Sequence, residues 1–93
     1  MNKGLIEPPD IRLKRLRFRS SHRGCKETDL VLGAFAEARL ESLDAAMLTA
    51  YERLLEESDA DIWDWLVGRT SPHNPAYSAL IVELRRYNPQ SSS

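Results

Sequence analysis

The sequence predicts a single small all-α domain, a bundle of five short helices, on three observations. Apolar residues recur at helical spacing in five successive segments, no segment sustains strand alternation, and every connection is a few residues long. With 93 residues, 42% of them hydrophobic, the chain can build one core but not a cofactor domain beside a substrate domain.

Residues 1–9, ending in Pro8 and Pro9, carry no periodicity and read as a flexible lead. Asp10 then reads as the N-cap of the first helix, where Ile11, Leu13, Leu16 and Phe18 line one side among cations, although Leu16 and Phe18 also alternate as a strand would. Gly24 ends that helix, because glycine tolerates the left-handed backbone of a C-terminal cap. The second helix places Leu30, Val31, Ala34, Phe35 and Ala38 on one face, with Glu27 and Asp29 in the first turn, where the macrodipole favours negative charge. Ser42 or Asp44 caps the third, whose Met47, Leu48, Tyr51, Leu54 and Leu55 form the clearest amphipathic stripe. Ser58 with Asp61 resembles a capping box, opening a fourth helix that buries Ile62, Trp65 and Leu66 with Trp63 on a flank, and Gly68 stops it. Asn74 and Pro75 supply an N-cap and an N1 proline for the fifth, which turns Tyr77, Leu80, Ile81 and Leu84 inward. The helical domain thus spans residues 10–87, and the tail from Asn88 to Ser93 offers nothing to bury and is expected to be disordered.

Composition narrows the function classes. A lone cysteine excludes an internal disulfide and a cysteine-based zinc cluster, and agrees with a reducing compartment. No apolar run is long enough to cross a bilayer, and Met1 to Asp10 lacks the apolar core of a signal peptide, so a soluble, cytoplasmic protein without direct membrane insertion is expected. Seven of the 13 Lys and Arg residues (Arg12, Lys14, Arg15, Arg17, Arg19, Arg23, Lys26) fall within fifteen positions, whereas Glu27 to Val67 holds eleven carboxylates against Arg39 and Arg53. The expectation is a basic end facing an acidic body.

Where the first two helices meet, Arg23-Gly24-Cys25-Lys26-Glu27 sets a cation, a backbone-exposing glycine and a carboxylate together. Another molecule's backbone can approach a residue without a side chain, between opposite charges presented by Arg23 and Glu27. The local alternative is that Gly24 merely ends one helix and Glu27 favours the start of the next. Downstream, Tyr51-Glu52-Arg53-Leu54-Leu55 leads into Asp59-Ala60-Asp61-Ile62-Trp63-Asp64-Trp65-Leu66.

The Arg-Gly-x-x-Glu signature joined to that block, from about Arg17 to Tyr87, resembles the small succinate dehydrogenase assembly factors that promote covalent FAD attachment to the flavoprotein subunit. Members of that family are five-helix proteins. The resemblance implies an accessory protein, not an enzyme, whose partner is the flavoprotein subunit of succinate dehydrogenase or fumarate reductase. Flavinylation joins a histidine of that subunit to the 8α-methyl carbon of FAD and draws on the flavin's own electrophilicity, so FAD is the cofactor attached to the partner and none is bound stably by the factor. The implied contribution is proximity: the factor holds the flavoprotein where histidine and flavin methyl meet. The implied partner-binding set is Arg23, Gly24, Lys26, Glu27 and Asp29, in which Gly24 allows close approach, Arg23 grips a partner carboxylate or carbonyl, and Glu27 reaches towards the modification site. Gly24→Arg and Glu27→Ala are expected to impair flavinylation while leaving thermal stability nearly intact.

Other readings have less behind them. The Arg12 to Lys26 strip could track a nucleic-acid backbone with Phe18 stacking on a base, but a pI near 6.1 and an acidic remainder limit phosphate attraction. No nucleic-acid partner is therefore expected. Glu27 and Asp29, two apart, face different ways and do not make an acid–base pair, so no catalytic residue is nominated. His22 and Cys25 supply two metal ligands where a site needs more, and His73 is remote, so no metal is expected. Cys25 beside Lys26 at a helix start has the setting of a reactive thiol, against the plainer reading of a small semi-buried side chain.

Overall fold

A computed structural model describes residues 7–88, and these contain five α-helices and no strand. In chain order the helices are α1 (Pro9–Ser21), α2 (Lys26–Arg39), α3 (Ala45–Leu54), α4 (Asp59–Val67) and α5 (Ser78–Arg85), with short 3-10 turns at Leu40–Ser42 and Pro75–Tyr77. The all-α, five-helix expectation holds. The flexible lead and disordered tail expected from the sequence fall outside the described residues over 1–6 and 89–93, but Asn88, assigned to that tail, is 2% exposed and its amide donates to the Arg85 carbonyl.

Local signals account for most helix ends. Asp44 accepts the Met47 amide, Ser58 the Asp61 amide and Asn74 the Ala76 amide, satisfying N–H groups that a helix start leaves without partners. Gly68 closes α4 at φ +82°, a left-handed conformation that costs glycine nothing. Two ends differ from expectation. α1 begins one residue before Asp10, with Pro8 as N-cap and Pro9 at N1, because a proline there lacks only an N–H that would go unused. It stops at Ser21 with His22 as C-cap, so Gly24 lies in the connection and is not the cap.

α2 is the central element and packs against α1, α4 and α5, while α3 meets α5 and the turn before it. The core runs through Leu16, Val31, Leu32, Phe35, Tyr51, Leu54, Ile62, Leu66, Leu80 and Leu84, with Phe35 and Tyr51 tilted at a ring separation of 5.3 Å. The expected stripes of α3, α4 and α5 are the buried ones, although Met47 and Leu48 are only partly covered. In α2 the inward set is Thr28, Val31, Leu32, Phe35 and Ala36, which leaves Leu30, Ala34 and Ala38 exposed. Both stripes have helical spacing, and the sequence supplies no partner to choose between them. In α1 the buried residues are Leu16 and Ser20, whereas Ile11 and Phe18 stand at 46% and 62% exposure. Ser20 is accommodated because its hydroxyl reaches the Leu16 carbonyl at 2.7 Å and lies 2.6 Å from the Tyr51 hydroxyl.

Candidate functional site

The corner between α1 and α2 is built by three side chains that satisfy its backbone and anchor it to the rest of the bundle. Asp29, one turn into α2, accepts the Arg23 amide on Oδ1 at 2.9 Å and the Gly24 amide on Oδ2 at 3.3 Å. Thr28, fully buried, shares its single hydroxyl proton between the Cys25 carbonyl and Asp59 Oδ1, each 3.2 Å away. Arg23 folds back across the connection between α3 and α4: Nε donates to Asp59 Oδ1 at 2.5 Å, Nη1 to the Leu55 carbonyl at 2.7 Å and Nη2 to the Glu57 carbonyl at 2.6 Å. A planar fork with diverging donors suits three acceptors held in one place, and a guanidinium is stabilised beside the C-terminal end of α3, where Leu55 is the C-cap.

Gly24 sits on the outside of this corner with φ +100°. A Cβ built there would meet nothing within 4 Å, so glycine is required by backbone conformation and not by crowding inside the chain. Any L-residue at position 24 is strained, which corrects the expectation that Gly24→Arg leaves stability nearly intact. Gly24, Lys26, Asp29 and Leu30 line one shallow open depression, with Leu30 56% exposed. Glu27 is exposed in the first turn of α2, within 3.6 Å of the Cys25 thiol, and makes no ion pair among the described residues. On the other side of the turn, Phe18, Arg19 and His22 form an open groove with Leu55, Glu56 and Glu57, and Phe18 stacks on His22 at 3.9 Å.

The structure thus gathers the five nominated residues at one corner but divides their orientations. Gly24, Lys26 and Glu27 face solvent, the Asp29 carboxylate serves the turn's own amides, and Arg23, with a side chain only 12% exposed, already has intramolecular acceptors for its guanidinium. Asp59 and Thr28 escaped nomination because their partners lie 36 and 31 residues away in sequence. Leu30 was missed because helical spacing placed it in the core.

Most of the basic strip is paired with carboxylates in space. Arg12 and Arg15 share the carboxylate of Glu52, Arg15 also grips Glu7, Arg17 lies 3.3 Å from Glu41 and Arg19 lies 3.0 Å from Glu56. Five of the strip's seven cations, Arg23 with Asp59 included, thus pair with carboxylates, which blurs the expected division into a basic end and an acidic body and reduces the attraction of the strip for phosphates. No three His, Cys, Asp or Glu side chains among the described residues converge on a point where a metal could sit, and no helix among them is long and apolar enough to cross a membrane.

The sequence profile of the Sdh5 family, described as "Flavinator of succinate dehydrogenase", matches residues 14–88, which include every element of this corner. The chain belongs to that family. It is 47% identical over 58 residues to the "FAD assembly factor SdhE" of Acetobacter pasteurianus, covering 62% of this chain and 53% of that protein. It is 38% identical over 82 residues to the "Succinate dehydrogenase assembly factor 2, mitochondrial" of Schizosaccharomyces pombe (87% of this chain, 59% of that one), and 39% identical over 66 residues to the FAD assembly factor of Methylococcus capsulatus (71% and 80%). The chain spans a little over half the length of the first two relatives and four-fifths of the third. Within the Sdh5 family frame, the Arg-Gly-x-x-Glu corner is an anchored turn that offers a bare backbone and, at Glu27, a carboxylate with no salt-bridge partner among the described residues.

Proposed function

We propose that this chain is an assembly factor that binds the flavoprotein subunit of a succinate dehydrogenase or fumarate reductase and promotes covalent attachment of FAD to a histidine of that subunit. The observation that carries this reading is an exposed, conformationally anchored Gly24–Glu27 corner in a chain of the Sdh5 family. The domain over residues 10–87 is the docking unit. Gly24 lets a partner backbone approach, Lys26 and Glu27 meet its polar groups, and Asp29 and Arg23 hold the turn in shape. The chain's contribution is orientation, which can lower a barrier by several kcal/mol without any group of its own entering the chemistry. The FAD belongs to the partner, no nucleic acid takes part, and the cytoplasm is the compartment.

The test is flavinylation of the partner in cells with and without this gene product. Covalent flavin, read as in-gel fluorescence of the denatured flavoprotein subunit, should fall sharply without the factor and return with the full chain. Equal fluorescence in both cells would end the proposal. Loss with both Gly24→Arg and Glu27→Ala, against recovery with an exposed substitution remote from the corner such as Thr49→Ser, would locate the docking surface.

A further inference from the structure

Asp59, the first residue of α4, accepts two hydrogen bonds on a single oxygen, from Arg23 Nε at 2.5 Å and from the buried Thr28 hydroxyl at 3.2 Å. Its carboxylate stands at a helix N-terminus, where negative charge is favoured, and Arg23 meets the carbonyl end of α3. Both charges are therefore stabilised independently of their mutual attraction. The connection that Arg23 clasps is also held by the turn before α5, since Tyr77 donates its hydroxyl to the Glu57 carboxylate at 2.8 Å. Arg23 is thus fixed at both ends: its amide by Asp29 and its guanidinium by Asp59 and two carbonyls. Gly24 follows directly, in the left-handed region of φ that a glycine adopts freely. The orientation of its bare backbone is inherited from the residue before it.

Building on the docking role argued above, we propose that Asp59 is a positioning residue for recognition of the flavoprotein, and that the arginine of the Arg-Gly-x-x-Glu signature acts inside its own chain, not on the partner. Asp59 keeps the guanidinium turned inward, and this sets the geometry at which Gly24 and Glu27 are presented. The contrary arrangement has Asp59 merely screening an arginine that swings out to grip the partner. The two differ in the sign of one substitution. Asp59→Asn weakens the hold on Arg23, which impairs docking if the hold is what matters and strengthens it if the arginine needs release.

The experiment uses the purified full chain and the purified flavoprotein subunit, with binding measured by titration calorimetry below the thermal transition of every variant. Loss of a charge-assisted hydrogen bond should weaken binding by Asp59→Asn about tenfold. Arg23→Lys should lose a comparable factor, because a single ammonium keeps the charge but cannot span three acceptors. In the Asp59→Asn background, Arg23→Ala should cost less than about twofold more, as expected of groups that act as a unit. Wild-type affinity in Arg23→Lys, equal or tighter binding by Asp59→Asn, or an undiminished cost of Arg23→Ala in the double variant would overturn the proposal. A second measurement needs no partner: in the nitrogen-15 spectrum of the free chain, Asp59→Asn should shift both the Arg23 Nε–H resonance and the Gly24 amide. An unmoved Gly24 amide would equally overturn it. If the wild-type chain fails to bind the flavoprotein while the spectrum responds as described, the docking role fails and the inward hold on Arg23 stands.

Discussion

Asp29 Oδ1 accepts the Arg23 amide at 2.9 Å, so a side chain of α2 supplies the hydrogen bond that α1 no longer provides beyond its end. The other oxygen takes the Gly24 amide, and a single carboxylate thus closes the corner at which the partner is proposed to dock. Asp29→Ala leaves both amides to water or to each other's neighbours and should cost about 1–2 kcal/mol of stability. Asp29→Asn keeps one acceptor oxygen and should fall between the two. Urea unfolding followed by circular dichroism measures both, and a wild-type midpoint for Asp29→Ala would show that the two bonds contribute nothing.

The glycines separate backbone strain from surface occlusion. Gly24→Ala and Gly24→Arg share the same φ penalty and have open space around Cβ, so each should lose about 1–2 kcal/mol. Only the arginine projects bulk into the docking surface. Gly24→Arg should therefore abolish flavinylation at a stability matching that of Gly24→Ala, which should retain a substantial part. Gly68→Ala, strained in the same way at φ +82° but remote in function, should lose similar stability and no activity once folded. Thermal melts paired with flavin fluorescence decide whether the two glycines differ in this manner.

Tyr51 sets an alkaline limit. Burial pushes its phenol up to about 12 from 10.0, with the hydrogen bond to Ser20 opposing the shift. A raised folded value means that the native state binds the proton more tightly, so the contribution is complete below pH 10 and is lost as pH rises towards 12. The loss should amount to roughly 2–3 kcal/mol. Tyr51→Phe should be about 1 kcal/mol less stable at neutral pH, from the lost hydroxyl contacts, and should lack this component of alkaline decline. Parallel slopes for the two proteins between pH 10 and 12 would count against it.

Glu52 acts at the other end of the pH range. Hydrogen bonding from Arg15, with Arg12 in support, holds its carboxyl below the ordinary carboxylate value. A depressed folded value contributes stability at neutral pH that disappears as pH falls below about 4.5 through the folded value. Because the pair is partly exposed, the effect should not exceed about 1 kcal/mol. Glu52→Gln should flatten the acid limb of a stability curve, and it should lengthen retention on heparin by leaving Arg12 and Arg15 without their shared carboxylate. Unchanged retention would mean that the strip is not masked by this residue.

Trp65 tests the core. It is 3% exposed, with its ring 5.7 Å from both Tyr77 and His73. Trp65→Ala should cost about 3–5 kcal/mol through the cavity it leaves. Flavinylation should then track the folded fraction and return when the variant is stabilised by lower temperature. Persistent inactivity of the folded variant would assign Trp65 a part in docking.

Much of this protein is legible along the chain because the relevant physics acts within one or two helical turns. Asp44, Ser58 and Asn74 cap the next few amides, Gly68 supplies a left-handed closure, and the stripes of α3, α4 and α5 have the period of the helices they build. The signature at Arg23, Gly24 and Glu27 likewise marks, from sequence alone, the corner proposed here as the docking surface. The tertiary structure decided what depends on distant partners: that α2 turns Leu32 inward and Leu30 outward, that Glu52 and Glu56 cancel cations in α1, and that Arg23 reaches across to Asp59 instead of outward. Two apolar stripes on one helix are equivalent until a neighbour covers one of them, and an arginine's direction is undetermined until its acceptors arrive from another part of the chain. Periodicity and caps are properties of a segment, whereas burial and charge pairing are properties of the packed whole.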